Sequence, residues 1–179
     1  MSPPPAGLRN TDLLAIYLND HLAASVGGME LVRRMIGLHR GTRYASELET
    51  LLVELREENA ALRAIMDDLG LPVRRHKQVA LWLGEKVSRL KLNGRLVTRS
   101  PLSDLVEFEF LASAVRAKRS GFESLREVAD VDDRLDADQL DGLVEQANRQ
   151  HSWLTTTRRE VAARVFGGND HAPDEAAGD

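Results

Sequence analysis

The chain has 179 residues, a formal net charge of −4, 42% hydrophobic but only 4% aromatic residues, and no cysteine. This length and apolar content suffice for one domain with its own core, and the recurrence of Leu, Ala, Glu and Arg favours helices over strands. The absence of cysteine excludes disulfides, thiolate nucleophiles and cysteine-based zinc or iron–sulfur sites.

The first predicted helix runs from about residue 11 to about residue 40, because apolar side chains recur there at three- and four-residue spacing. Residues 1–10 contain no apolar run, so we expect a disordered segment rather than a signal peptide or membrane span, and a cytoplasmic location. The apolar face of the helix is interrupted by Asp20, His21 and the pair Gly27-Gly28. The glycines are expected to allow a close helix approach or a bend, and Asp20 to face away from the core.

The second predicted helix begins near Tyr44 and ends at the sequence GLP, residues 70–72, with a leucine-rich seam typical of bundles. A connection over about residues 71–100 follows, and it is predicted to contain a shorter helix from about residue 75 to about residue 92. Between Val73 and Arg99 the net charge is +7, against −11 for the remainder. The predicted basic patch consists of Arg74, Arg75, Lys77, Lys86, Arg89, Lys91 and Arg95.

Two more long helices are predicted, the first from Pro101 to about Ala129 and the second from a cap at Asp136 or Asp138 to about residue 166. Residues 167–179 are expected to be a disordered acidic tail. Residues 11–166 are therefore predicted to form a single all-α domain. A connection as long as that over residues 71–100 can run the length of a bundle, so the second and third long helices can be parallel.

This order of helices, together with the stretch YLNDHLAASVGGMELVRRM in the first one, resembles the ferritin-like superfamily of four-helix bundles with a long crossover. The resemblance covers about residues 11–166. It implies a di-iron or di-manganese site, with a Glu from each of two helices and a Glu-x-x-His motif from each of the other two. No Glu-x-x-His occurs in this chain, since Ala61 follows Glu58 at the third place and Asn148 precedes His151 by three. We therefore expect a ferritin-like fold with a degenerate or absent dimetal site.

Polar residues nevertheless remain on the inward faces predicted for the bundle. His21, Glu58 and His151 each lie near the middle of a helix, so an antiparallel bundle brings them to one level. A buried carboxylate needs a partner, and the third long helix offers Glu107, Glu109 or Lys118, depending on its rotation. The predicted buried polar cluster consists of His21, Glu58, Lys118, His151 and Arg158. The alternative is a site for iron, manganese or zinc, whose predicted ligands are His21, Glu58, Glu109 and His151.

Three functions stay open from the sequence. The first is a non-catalytic bundle without a cofactor, which acts by assembly or by binding a protein partner through exposed apolar residues such as Ile16, Leu31 and Trp153. The second is a metal-binding oxidoreductase or iron-handling protein with an atypical His/carboxylate site. The third is binding of an anionic surface through the basic patch. No specific nucleic-acid motif, phosphate-binding loop, Ser-His-Asp order or His-Glu-x-x-His motif occurs in the chain.

Overall fold

The computed structural model describes residue 8, residues 10–74 and residues 100–167. These residues form α1 (Thr11–Leu38), α2 (Ala45–Asp68), α3 (Pro101–Ala129) and α4 (Ala137–Phe166), with no strand among them. The all-α prediction is confirmed for this part of the chain. The shorter helix predicted in the connection and nearly all of both terminal segments lie outside the described residues. None of the four helices is long and apolar enough to cross a membrane.

Local sequence sets the ends of the helices. The Ser100 side chain caps α3 by accepting a hydrogen bond from the backbone N–H of Leu102 at 3.3 Å, and Pro101 takes the first position, where a helix needs no N–H. Of the two predicted caps for α4, the structure uses Asp136, which accepts a hydrogen bond from the backbone N–H of Gln139 at 3.1 Å. Gly70, which follows the C-cap residue Leu69 of α2, adopts a φ of 68°, a left-handed conformation that favours glycine and ends the helix.

The helices form two antiparallel hairpins, α1 with α2 and α3 with α4. α1 also runs antiparallel to α3. The hydroxyl of Tyr17, near the start of α1, lies 3.4 Å from the hydroxyl of Ser124, near the end of α3. Arg34, near the end of α1, donates a hydrogen bond at 2.5 Å to Glu107, near the start of α3. Because α2 and α3 are both antiparallel to α1, they run in the same direction.

The end of α2 and the start of α3 consequently lie at opposite ends of the bundle. The carbonyl of Leu69, which follows α2, accepts a hydrogen bond at 3.2 Å from Arg134 in the turn between α3 and α4. Asp104, in the first turn of α3, lies instead 3.6 Å from His39 in the turn between α1 and α2.

The apolar core consists of two clusters, one toward each end of the bundle. Phe108 is fully buried in the first and Leu125 is almost fully buried in the second. On α2, Leu55 belongs to the first cluster and Leu62 to the second. The residue between them on the same helix face is Glu58, so a carboxylate stands where the two apolar clusters meet.

Candidate functional site

Glu58 is the centre of a buried polar cluster that joins three helices. Its side chain is only 2% exposed, because residue 58 lies on the same face of α2 as the buried Leu55 and Leu62. One carboxylate oxygen, Oε2, accepts a hydrogen bond from the ammonium group of Lys118 on α3. The other, Oε1, accepts one from the side-chain amide of Gln150 on α4 at 2.9 Å. Both oxygens of the buried carboxylate therefore have partners.

Gln150 connects the remaining members of the cluster. Its carbonyl oxygen accepts a hydrogen bond from Lys118 at 2.5 Å, and its amide nitrogen also donates to Glu54 at 2.8 Å. The residue is 5% exposed, and both of its side-chain polar atoms are engaged within the cluster. The cluster thus contains two carboxylates, one ammonium and one amide, which satisfy each other as buried polar groups require.

Burial opposes both charges of the Glu58–Lys118 ion pair. Desolvation raises the pKa of Glu58 and lowers the pKa of Lys118, while the charge of each partner and the hydrogen bond between them act in the opposite direction. The Glu54 carboxylate raises the pKa of both groups. A pair held in this way is neutral as a unit, and its stability depends on both members being present.

A small cavity opens beside the ion pair, between α1, α2 and α3. Lys118 and His21 are among its polar wall residues, and Leu18, Leu62 and Phe122 are among the apolar ones. The half-buried His21 ring lies edge-on to Tyr17, with 4.6 Å between the ring centroids. Burial lowers the pKa of His21, and the charge of Asp20 acts in the opposite direction. The imidazole therefore faces the cavity in an environment that disfavours its protonation.

Gly121 of α3 makes room for the His21 ring. A Cβ at residue 121 would lie 3.0 to 3.2 Å from three atoms of this ring, which is closer than an ordinary van der Waals contact. At Gly28 an added Cβ would meet nothing within 4 Å, so the close helix approach predicted for the Gly27-Gly28 pair is wrong at this position. An isolated glycine inside an otherwise helical pattern is the signal that marks residue 121 in the sequence.

The structure brings together some of the residues predicted for the buried polar cluster. Glu58 and Lys118 are in direct contact, and His21 lies on the wall of the adjoining cavity. His151 and Arg158 are half-buried, and neither bonds to Glu58, whose carboxylate partners are Lys118 and Gln150. Adjacent residues on a helix point about 100° apart, so the rotation of α4 about its axis decides that residue 150 rather than residue 151 lies against the carboxylate.

The predicted metal ligands His21, Glu58, Glu109 and His151, all of which the structure describes, do not lie together in one group. Among the described residues no three His, Asp or Glu side chains lie close enough together to hold a metal ion. Glu109 is exposed, and both oxygens of Glu58 already accept hydrogen bonds. The Glu58 carboxylate instead contacts the ammonium group of Lys118.

Arg74 is the one residue of the predicted basic patch that the structure describes; the other six lie outside the described residues. Its backbone N–H donates to the side-chain oxygen of Asn19 on α1 at 2.6 Å. The amide nitrogen of Asn19, a residue 1% exposed, donates in turn to the carbonyls of Ala15 at 2.7 Å and Pro72 at 2.9 Å. This amide, which the sequence analysis did not single out, therefore holds residues 72–74 against α1.

An exposed apolar stripe lies at the start of α1. Leu13, Ile16 and Tyr17 are 65%, 46% and 37% exposed, and their spacing places them on one face of the helix. Leu31, which the sequence analysis also expected at the surface, is only 4% exposed because it packs in the first apolar cluster. Trp153 is half-buried against the same cluster. The stripe is thus an apolar surface of the kind that packs against another protein.

Comparison of the chain with protein-family models, with curated proteins and with solved structures finds no match. The basis for a function is therefore the geometry of the bundle itself.

Proposed function

We propose that the chain is a non-catalytic, ferritin-like helical-bundle protein that works in the cytoplasm by assembly or by binding a protein partner. A buried polar cluster stands in place of a dimetal site. The observation that carries this proposal is the contact of Lys118 and Gln150 with both oxygens of Glu58. Bundles that bind two metals present inward carboxylates to metal cations at mid-height. Here the ammonium group of Lys118 supplies the positive charge that such a carboxylate needs.

The ferritin-like architecture is supported by the directions of the helices. α2 and α3 are parallel, and Leu69 and Asp104 lie at opposite ends of the bundle. A 24-residue helix such as α2 is about 36 Å long, so the connection between α2 and α3 has to cover a comparable distance. We propose that it does so as a long crossover with a shorter helix, as the apolar spacing of the sequence predicts.

Metal analysis tests the proposed loss of the dimetal site. Protein purified without chelator is expected to contain no stoichiometric iron, manganese or zinc by elemental mass spectrometry. Metal added and then removed by gel filtration should not remain bound. A stoichiometric metal that disappears in Glu58→Gln and persists in the surface variant Glu49→Gln would contradict the proposal and favour the oxidoreductase alternative.

The assembly part of the proposal rests on the stripe of Leu13, Ile16 and Tyr17, which we assign as a contact between two copies of the chain. Light scattering coupled to gel filtration is expected to give a mass above that of one chain. Ile16→Lys should return the protein to a monomer, whereas Val53→Lys, at a residue 50% exposed on α2, should leave the mass unchanged. A wild-type protein that stays monomeric across concentrations would contradict assembly through this stripe.

A further inference from the structure

Lys118 is a largely buried lysine on the wall of the cavity between α1, α2 and α3. Its side chain is 16% exposed and forms part of the cavity wall. Glu58 and Gln150 accept two of its three N–H bonds, and no other described residue accepts the third. The nitrogen is therefore held by two hydrogen bonds, in a side chain that forms part of the cavity wall.

We propose that Lys118 forms a reversible imine with a small aldehyde that enters this cavity. Glu58 Oε2, which already accepts a hydrogen bond from the ammonium group, takes its proton, and rotation about the Cε–Nζ bond turns the freed lone pair toward the aldehyde. The nitrogen attacks the carbonyl carbon and a new C–N bond forms, while the C=O π bond breaks and one proton moves from the nitrogen to the oxygen, which becomes a hydroxyl. Glu58 then returns the proton as the hydroxyl leaves as water. Overall, an ammonium group and an aldehyde give a protonated imine and water, with no change in charge.

The ion pair selects carbonyl compounds over reagents that acylate amines. A protonated imine keeps a positive charge beside Glu58, whose side chain is 2% exposed. An amide or a carbamate on Lys118 would remove or invert that charge and leave a buried carboxylate without a counter-charge, which is strongly unfavourable. Imine formation is thus the covalent change of this lysine that preserves the buried pair.

The surroundings of the amine favour the same reaction. Burial raises the pKa of Glu58 and lowers the pKa of Lys118, so both shifts ease the transfer of the proton from nitrogen to oxygen. Leu18 and Phe122 give the cavity apolar walls against which the alkyl part of an aldehyde can pack. Because the His21 ring lies against Gly121 and narrows the cavity, we expect short aliphatic aldehydes to enter and aromatic ones to be excluded.

Reductive trapping of the wild-type protein tests the proposal directly. Acetaldehyde and cyanoborohydride, which reduces an imine to a stable N-ethyl amine, are added at neutral pH, and peptide mass spectrometry measures the rate at each lysine. Lys77, Lys86 and Lys91 are the other three lysines of the chain and serve as internal controls. Lys118 is expected to react several-fold faster than any of them, because burial lowers its pKa and leaves more of the amine neutral. Equal rates, or labelling of Lys118 only in urea, would overturn the proposal.

Two further comparisons test the cavity and the chemistry. Gly121→Ala pushes the His21 ring into the cavity and should slow ethylation of Lys118 at least about threefold, whereas Gly142→Ala, where an added Cβ meets nothing within 4 Å, should not. Benzaldehyde and acetic anhydride should show no preference for Lys118. An unchanged rate of Lys118 ethylation in Gly121→Ala would overturn entry of the aldehyde through this cavity, and so would preferential labelling of Lys118 by benzaldehyde. Preferential acetylation of Lys118 would overturn the proposed role of the ion pair.

Discussion

Replacement of Lys118 by methionine should destabilise the bundle by about 3 kcal/mol or more at mildly alkaline pH, because removal of one member of a buried ion pair costs about 3–5 kcal/mol. Methionine has a length similar to that of lysine and fills the same space, so little of the loss comes from packing. The loss arises at Glu58, which is 2% exposed and keeps only its 2.9 Å hydrogen bond from Gln150. This remaining bond places the expected value at the lower end of the range.

The pH dependence distinguishes this explanation from a simple loss of contacts. Burial already raises the pKa of Glu58 above its unfolded value of 4.5, and the loss of Lys118 raises it further. A raised folded-state pKa contributes stability that is fully present below the unfolded pKa and is lost as the pH rises through the folded pKa. The deficit of Lys118→Met should therefore be smaller near pH 5 than near pH 8.

The partner variant should show the opposite trend. In Glu58→Gln the buried Lys118 has no counter-charge, and its pKa falls further below the unfolded value of 10.5. A lowered folded-state pKa contributes stability that is present above the unfolded pKa and lost as the pH falls through the folded pKa. The deficit of Glu58→Gln should therefore shrink as the pH rises from about 7 to about 10.

Urea denaturation followed by circular dichroism at several pH values measures these deficits as changes in the free energy of unfolding. The double variant Lys118→Met/Glu58→Leu should recover most of the loss, because neither buried charge remains. Arg126→Met breaks an exposed ion pair with Asp141 on the same helix hairpin and should change the stability little at any pH. Deficits below about 1 kcal/mol in both single variants, the same pH trend in both, or additive losses in the double variant would refute the reasoning.

Other consequences of the structure are open to measurement. Gly142→Ala should raise the free energy of unfolding by about 0.5–1 kcal/mol in urea titrations, because it removes a helix-interior glycine at a position with free space. Asn19→Leu should lower the free energy of unfolding by about 1–3 kcal/mol and speed amide hydrogen exchange at residues 72–74, because the backbone carbonyl of Pro72 and the N–H of Arg74 lose their partner. Unchanged exchange would contradict the role of Asn19 in holding this segment. Hydrogen bonds from Arg134 hold the pKa of Asp132 well below its usual range in the folded protein. The stability that this carboxylate contributes is therefore complete above its unfolded pKa, about 4, and is lost gradually as the pH falls below that value. Asp132→Asn should therefore destabilise the protein at pH 7, and by somewhat less near pH 3, where only part of this stability is lost; thermal melts that show equal losses at both pH values would exclude this explanation.

The helices themselves follow from local properties of the sequence. The apolar spacing and the caps predicted four long helices close to the bounds of α1 to α4, because helix periodicity and termini depend on residues within a few positions of each other. Glu58 was recognised for the same reason, as the one polar residue on an otherwise apolar face of α2. The presence of an inward carboxylate at mid-height is thus a property of one helix.

The partners of that carboxylate depend on the tertiary structure. The sequence left Glu107, Glu109 and Lys118 open on α3 and named His151 on α4, whereas Glu58 contacts Lys118 and Gln150. A shift of one residue rotates a helical side chain by about 100°, and the packing of whole helices sets that rotation.

Contacts between distant parts of the chain could not be predicted from the sequence either. The pairing of His21 with Gly121 and of Asn19 with residues 72–74 joins segments whose proximity exists only in the folded bundle. The sequence alone therefore determined the helices and the need for a partner at Glu58, because both are set by neighbouring residues on one helix. Only the tertiary structure decided that an ammonium group beside a small cavity meets this need, because the rotation of each helix is fixed by the packing of all four.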